Sequence, residues 1–177
     1  MICKNTSESG GRMLKENAAV SICANPDQLQ GAVVELKKFG FDIKRISVVG
    51  KAYGKQQELT AYYEQGDTLK CWGKQSDFWN KLCAMIQDWV FFSSPGTGSL
   101  LVIGPISLWV VAIMKNSAIF NGLSVLGAML YSMGLARDSV QDYEEALRKG
   151  CYLLIVHGPS QEVMEAKRIL KSANTRL

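Results

Sequence analysis

An α+β fold interrupted by a long apolar insertion is predicted by three features of this sequence. Strand-then-helix units open and close the chain, the two units share a gapless motif, and a nearly charge-free block lies between them. At 177 residues the chain can form one domain with a real core, or a small domain plus an insertion. Of its 20 Lys/Arg and 16 Asp/Glu residues, only Lys115 falls within Trp89–Ala136, a composition break that marks a boundary. The net charge of +4 is mild and both signs are interspersed, so the basic stripe of a nucleic-acid-binding protein is missing.

The chain opens with "MICKNTSESGGRMLKEN", residues 1–17. This polar arm lacks the apolar core of a signal peptide, which points to a cytoplasmic protein, or one on the cytoplasmic face of a membrane, that is not secreted. Cys3, Cys23, Cys71, Cys83 and Cys151 form no CxxC pair, and there is one histidine. That dispersed set suits a reducing compartment and provides no metal site.

"AAVSICA" (Ala18–Ala24) is a short, partly β-branched apolar run and reads as a buried strand. A helix signature follows, with Asn25 at the cap, Pro26 at the first helical position and Gln28 at the reciprocal capping position. Leu29, Ala32, Val33 and Leu36 recur on one face and Gly40 ends the helix. "IKRISVVG" supplies a second strand. Near the other end, "LLIVHGPSQ" (Leu153–Gln161) aligns without gaps to "VSICANPDQ" (Val20–Gln28), and the helix after it carries Val163, Ala166, Ile169 and Leu170 on one face. Two such halves, 18–50 and 151–177, predict a ferredoxin-like sheet with a short or missing fourth strand. A chance likeness between two strand–helix boundaries is the plainer alternative.

Residues 51–150 are then a helical insertion with a hydrophobic hairpin at 99–134. "DFWNKLCAMIQDWVFF" (Asp77–Phe92) reads as a lopsided amphipathic helix, and "SSPGTGS" as a turn. Ser99–Met114 and Ser117–Gly134 read as two helices, with Gly104-Pro105 kinking or restarting the first. At 1.5 Å per residue they reach roughly 24 and 27 Å, slightly short of a hydrocarbon layer about 30 Å thick. In "DSVQDYEEALRKG", Ser139 and Asp142 are spaced for a capping box, Glu144–Arg148 and Glu145–Lys149 for ion pairs.

The hairpin side chains expected in a membrane or subunit contact are Leu100, Leu101, Ile103, Ile106, Leu108, Trp109, Val110, Ile113, Phe120, Leu123, Leu126 and Leu130. Ser124, Ala128 and Ser132 add a small-residue row suited to close helix contact. A ferredoxin-like sheet offers one face, which its own two helices cover. The hairpin, with roughly twenty large apolar side chains each worth about 1.5–3 kcal/mol on burial, is therefore expected in a bilayer or against copies of the chain. Tyr62, Tyr63 and Trp72 beside Lys70 and Lys74, with Phe78, Trp79 and Trp89, have the composition of an interfacial aromatic belt. An amphipathic connector packing through its aromatics is the alternative.

The segments "VVELKKFGFDIKRISVVGK", "YYEQGDTLKCWGKQSDFW", "PGTGSLLVIGPI" and "GLSVLGAMLYSMGLARDSVQDYEEALRKGCYLLIVHG" resemble a family of small bacterial general-stress or heat-induced-stress proteins of unknown function. The resemblance spans roughly Val20–Leu170. It implies a stress role, a cytoplasmic face and a hydrophobic hairpin, and carries over no catalytic residue. This chain departs from that pattern at Asn80–Ser94, where bulky residues with Lys81 and Asp88 replace small ones and favour an interfacial or subunit-contact helix.

No catalytic constellation is found. His157 ends a strand before a helix start; a local backbone contact explains it more simply than an anion-side or acid–base role. "VVGKAYGK" lacks the GxxxxGK[ST] phosphate loop and reads as a strand exit. Glu58, Glu64 and Asp67 show no convergence, and Cys23 and Cys151 read as small buried hydrophobes. The expected function is non-enzymatic and stress-associated, anchored in or at the membrane by the hairpin and oligomeric. The alternative is a soluble ring or shell burying hairpins between subunits. No cofactor and no small-molecule substrate are implied.

Overall fold

The computed structural model describes residues 18–51, 60–64, 68–72, 76–86, 88–116 and 122–175. The polar arm and Phe120 therefore lie outside the described residues. The first unit runs β1 (Ala18–Cys23), α1 (Pro26–Lys38) and β2 (Ile46–Lys51). The α1 cap forms as its residues predict. Asn25 Oδ1 accepts from the Gln28 N–H at 2.8 Å, and the Ala24 N–H donates to Gln28 Oε1 at 2.8 Å.

β3 (Thr60–Glu64) and β4 (Thr68–Trp72) pair as a separate two-stranded ribbon, and α2 spans Ser76–Met85. β5 (Trp89–Ser94) and β6 (Gly98–Ile103) follow, then α3 (Ile106–Lys115), α4 (Val125–Ser132) and α5 (Arg137–Arg148). The chain closes with β7 (Tyr152–His157) and α6 (Ser160–Thr175). One five-stranded antiparallel sheet has the order β1-β7-β2-β6-β5. The fold is α+β.

This sheet is buried on both faces. Alternation along β7 sends Tyr152, Leu154 and Val156 to one side, where they meet Leu29, Leu36, Trp79, Leu82, Val163 and Leu170 from α1, α2 and α6. Leu153 and Ile155 point to the other side, into a second core with Leu100, Val102, Val110, Leu126, Leu130, Val140 and Leu147. Helices α3, α4 and α5 build that second layer. The expectation that the sheet has one usable face is thus corrected: the second face takes up much of the apolar block within the same chain.

The insertion is also built differently from the expected helical one. Asp77–Phe92 is a helix only to Met85; Trp89–Phe92, aromatic and β-branched, continue as β5. Ser99–Ile103 is β6, not helix, so Leu100, Leu101 and Ile103 are central sheet residues. "SSPGTGS" is the hairpin turn joining the two strands, closed by Thr97 N–H donating to Ser94 O at 3.1 Å. In the second expected helix, helical structure begins at Val125, and residues 117–121 lie outside the described residues. Trp79 belongs to the first core, packed on the Tyr152 ring at 5.5 Å, and not to an exposed belt.

The small-residue row has a different use from the one its spacing suggested. Ser124 caps α4, accepting from the Gly127 N–H at 2.9 Å and donating to Glu144 of α5. Glu144 therefore faces α4, and the ion pairs of α5 run from Glu145 to Arg148 and Lys149. Ser132 donates to its own helix at Met129 O, 2.7 Å. Close helix approach occurs at Gly127, where an added Cβ would lie 3.2 Å from Glu144 Oε1 and 3.2 Å from Val140 Cγ1. The expected Ser139–Asp142 cap is not used, because α5 starts three residues earlier, at Arg137 with Ala136 in the cap position. Ser124→Ala removes both a cap and an inter-helix bond. It should cost about 1–2 kcal/mol, read as a lower urea midpoint with an unchanged slope.

Candidate association surface

α3 is apolar around its whole circumference apart from Ser107 and the terminal Lys115, yet only one side of it meets the sheet. Ile106, Ser107 and Val110 are buried, and Trp109 and Ile113 are partly so. Leu108 is 60% exposed and Met114 45%, with Ala112 also exposed and Val111 half-buried. α4, packed against α3, repeats the arrangement. Leu126, Met129 and Leu130 face inward, Ala128 and Ser132 are half-covered, and Tyr131 is 57% exposed. Leu123 and Val125 are half-covered at the entry to α4. The outer faces of these two helices form a layer whose one charged side chain is Lys115, at the C-terminal end of α3.

Length limits what this layer can do with a bilayer. α3 has 10 residues and α4 has 8, or about 15 and 12 Å of rise, against a hydrocarbon core about 30 Å thick. No helix among the described residues is long and apolar enough to cross a membrane. Lifting either helix from the sheet would also uncover Leu100, Val102, Leu153 and Ile155, which they and α5 bury. Among the aromatics first considered, Trp89 is half-buried and meets Phe91 edge-on at 5.7 Å. Tyr62 and Tyr63 sit in β3 and Trp72 in β4; their side chains, and that of Phe78, are outside the described residues.

His157 lies beneath the same layer. It ends β7 on the second face of the sheet, and its ring sits 5.8 Å from the Trp109 ring of α3, centroid to centroid. The Arg45 backbone lies near the ring, while Nδ1 is buried without a hydrogen-bond partner. Burial pushes the imidazole below its ordinary range, and the Arg45 guanidinium adds to this; the Arg45 backbone bond opposes both. Arg45 is itself paired with Glu162 in the first turn of α6. The backbone that His157 meets is that of Arg45, distant in sequence, and not the local backbone expected; its contact with Trp109 is likewise a long-range feature that no spacing in the sequence announces.

Chemistry elsewhere is sparse. Among the described residues no group of three or more His, Cys, Asp or Glu could hold a metal ion. Cys23, Cys83 and Cys151 form no disulfide. Burial pushes the Cys23 thiol up to about 11, which keeps it protonated and unreactive near neutral pH. The chain matches no family model, no curated protein and no solved structure.

Proposed function

We propose that this chain is a non-enzymatic protein that acts by self-association, with the outer face of α3 and α4 as the contact between copies. The observation that supports this most is the exposure of Leu108, Met114 and Tyr131 on a layer with a single peripheral charge. A contiguous apolar surface of this kind marks an interaction site. Small residues between the large ones, Ala112 and Ala128, let a second helix layer approach closely. Attachment to an anionic membrane surface would call for a cluster of cations beside the apolar face, and α3 and α4 themselves carry one, Lys115. In this reading β1, β7 and β2, with α1 and α6 on one side, form a ferredoxin-like core without its fourth strand, extended by β6 and β5. The stress association implied by the resemblance belongs to the same proposal and would appear as induction of the protein on heat shock.

The test is a concentration series in detergent-free buffer, from micromolar to hundreds of micromolar, followed by sedimentation velocity. Wild type should show a concentration-dependent rise in mass. Leu108→Lys combined with Tyr131→Glu should remain monomeric with unchanged far-UV dichroism, since both side chains point outward. A wild-type monomer throughout the series rejects the reading. Wild-type flotation with anionic vesicles, lost in the double variant, would reassign the face to a lipid surface.

A further inference from the structure

We infer that His157 is a proton-operated latch holding α3, and with it the association surface, against the sheet. The inference rests on the proposed role of that surface and adds its regulation.

The geometry places two sides of one short helix in different service. Leu108 and Ala112 face outward on α3, while Trp109 reaches down to the His157 ring at the end of β7. Nδ1 of the ring is buried with no hydrogen-bond partner. The charged imidazole carries an N–H on both nitrogens, so protonating the ring fixes a donor at Nδ1. A donor N–H and a full positive charge would appear where nothing accepts either one.

The charged groups around the ring do not offset this. Arg45, from the turn before β2, is the cation felt by His157, and its guanidinium is held in place by Glu162 of α6. β1 brings Ala18, the register partner of His157. α3 brings Trp109, with its single charge, Lys115, at the far end of the helix. The Trp109 π-face would favour an imidazolium and so works against burial and Arg45, which hold the ring toward its neutral form. Moving Trp109 away and admitting water to Nδ1 relieves the strain, and that movement displaces α3.

Linkage sets the sign and size. Above the ordinary histidine value near 6.5 the ring is neutral whether α3 is docked or released. As pH falls below that value the released state takes up the proton first, so docking weakens until the docked ring titrates as well. Each unit by which the docked ring lies below its ordinary value weakens docking about tenfold.

The chain contains one histidine, so its ring resonances need no assignment strategy. Wild-type protein is titrated from pH 8 to pH 5 by NMR, with hydrogen exchange of the α3 amides corrected for intrinsic rate and sedimentation run in parallel. The expected result is a ring titrating below 6.5, α3 exchange accelerating through the same interval, and association weakening with it. In His157→Gln both the α3 exchange and the association should become flat over that range. If α3 exchange follows the ring while the protein stays monomeric, the latch stands and the association reading falls. If association is present but neither it nor α3 exchange follows the ring, the latch is overturned and association stands. The wild-type titration decides the matter even if His157→Gln does not fold.

Discussion

Gly104→Ala is expected to cost about 2–5 kcal/mol, the sum of backbone strain and overpacking, and to lower the melting temperature on the order of 10 °C for a chain of this size. Gly104 makes the step from β6 into α3 with a φ of 112°, a conformation that side-chain-bearing residues rarely adopt. The space around it is closed as well. An added Cβ would lie 2.5 Å from Ser47 Oγ, 2.6 Å from Ile46 O and 2.7 Å from Ser47 Cα. Two of those atoms belong to the backbone of β2, so no side-chain rotation can clear the clash. The Gly104 N–H also donates to Asp88 O at 2.7 Å, and Ser47 Oγ accepts from the Ile106 N–H at 3.3 Å. A displaced glycine would disturb both. Gly96→Ala is the control: it shares a positive φ of 78° but has open space around it, so it should cost only about 1 kcal/mol of strain. Equal denaturant midpoints for the two variants would show that the crowding against β2 is wrong.

Leu130→Ala should cost about 2–5 kcal/mol, whatever the protein concentration. Leu130 is fully buried in the second core, among side chains from the sheet, α3, α4 and α5. Removing it opens a cavity inside one chain. Were this residue instead covered by lipid or by a second copy, its truncation would chiefly change partitioning or mass. Measuring melting at two widely separated concentrations separates these cases. Combined with the outward Leu108→Lys, its effect on the dilute protein should add within a few tenths of a kcal/mol, because the two side chains occupy opposite sides of the helix layer. Strong coupling between them would contradict the arrangement described.

What the sequence disclosed about this fold follows the range of the forces involved. The α1 cap, the buried face of α1 and that of α6 were all legible, because each depends on residues within four positions of one another. The strands β1, β2 and β7 were legible for the same reason. Ser99–Ile103 was not. Continuous apolar runs buried on both faces have no period, and nothing in "SLLVI" distinguishes a central strand from a buried helix. Gly104-Pro105 did mark the break, yet the element before it was read with the wrong period. That error hid the second face of the sheet, because a segment counted as helix could not be counted as two more strands. The candidate surface was visible as composition, and its division into inward Leu126 and Leu130 and outward Leu108 and Tyr131 was not. That division depends on which side of each helix meets the sheet, a tertiary fact. Trp109 and His157 are separated in sequence by the end of α3, all of α4 and α5 and most of β7, and only the antiparallel return of β7 brings them together.

The position of β7 between β1 and β2 has a consequence for how the molecule comes into being. β1 and β2 touch each other only through β7, with Ala18 registered on His157 and Ile46 on Val156. During synthesis β1 and β2 therefore stay unjoined until β7 has left the ribosome. Throughout that interval the apolar side chains of α3 and α4 lack Leu153 and Ile155 of β7 to pack against. Late arrival of the keystone strand makes slow closure of distant partners the expected pace-setting step of folding.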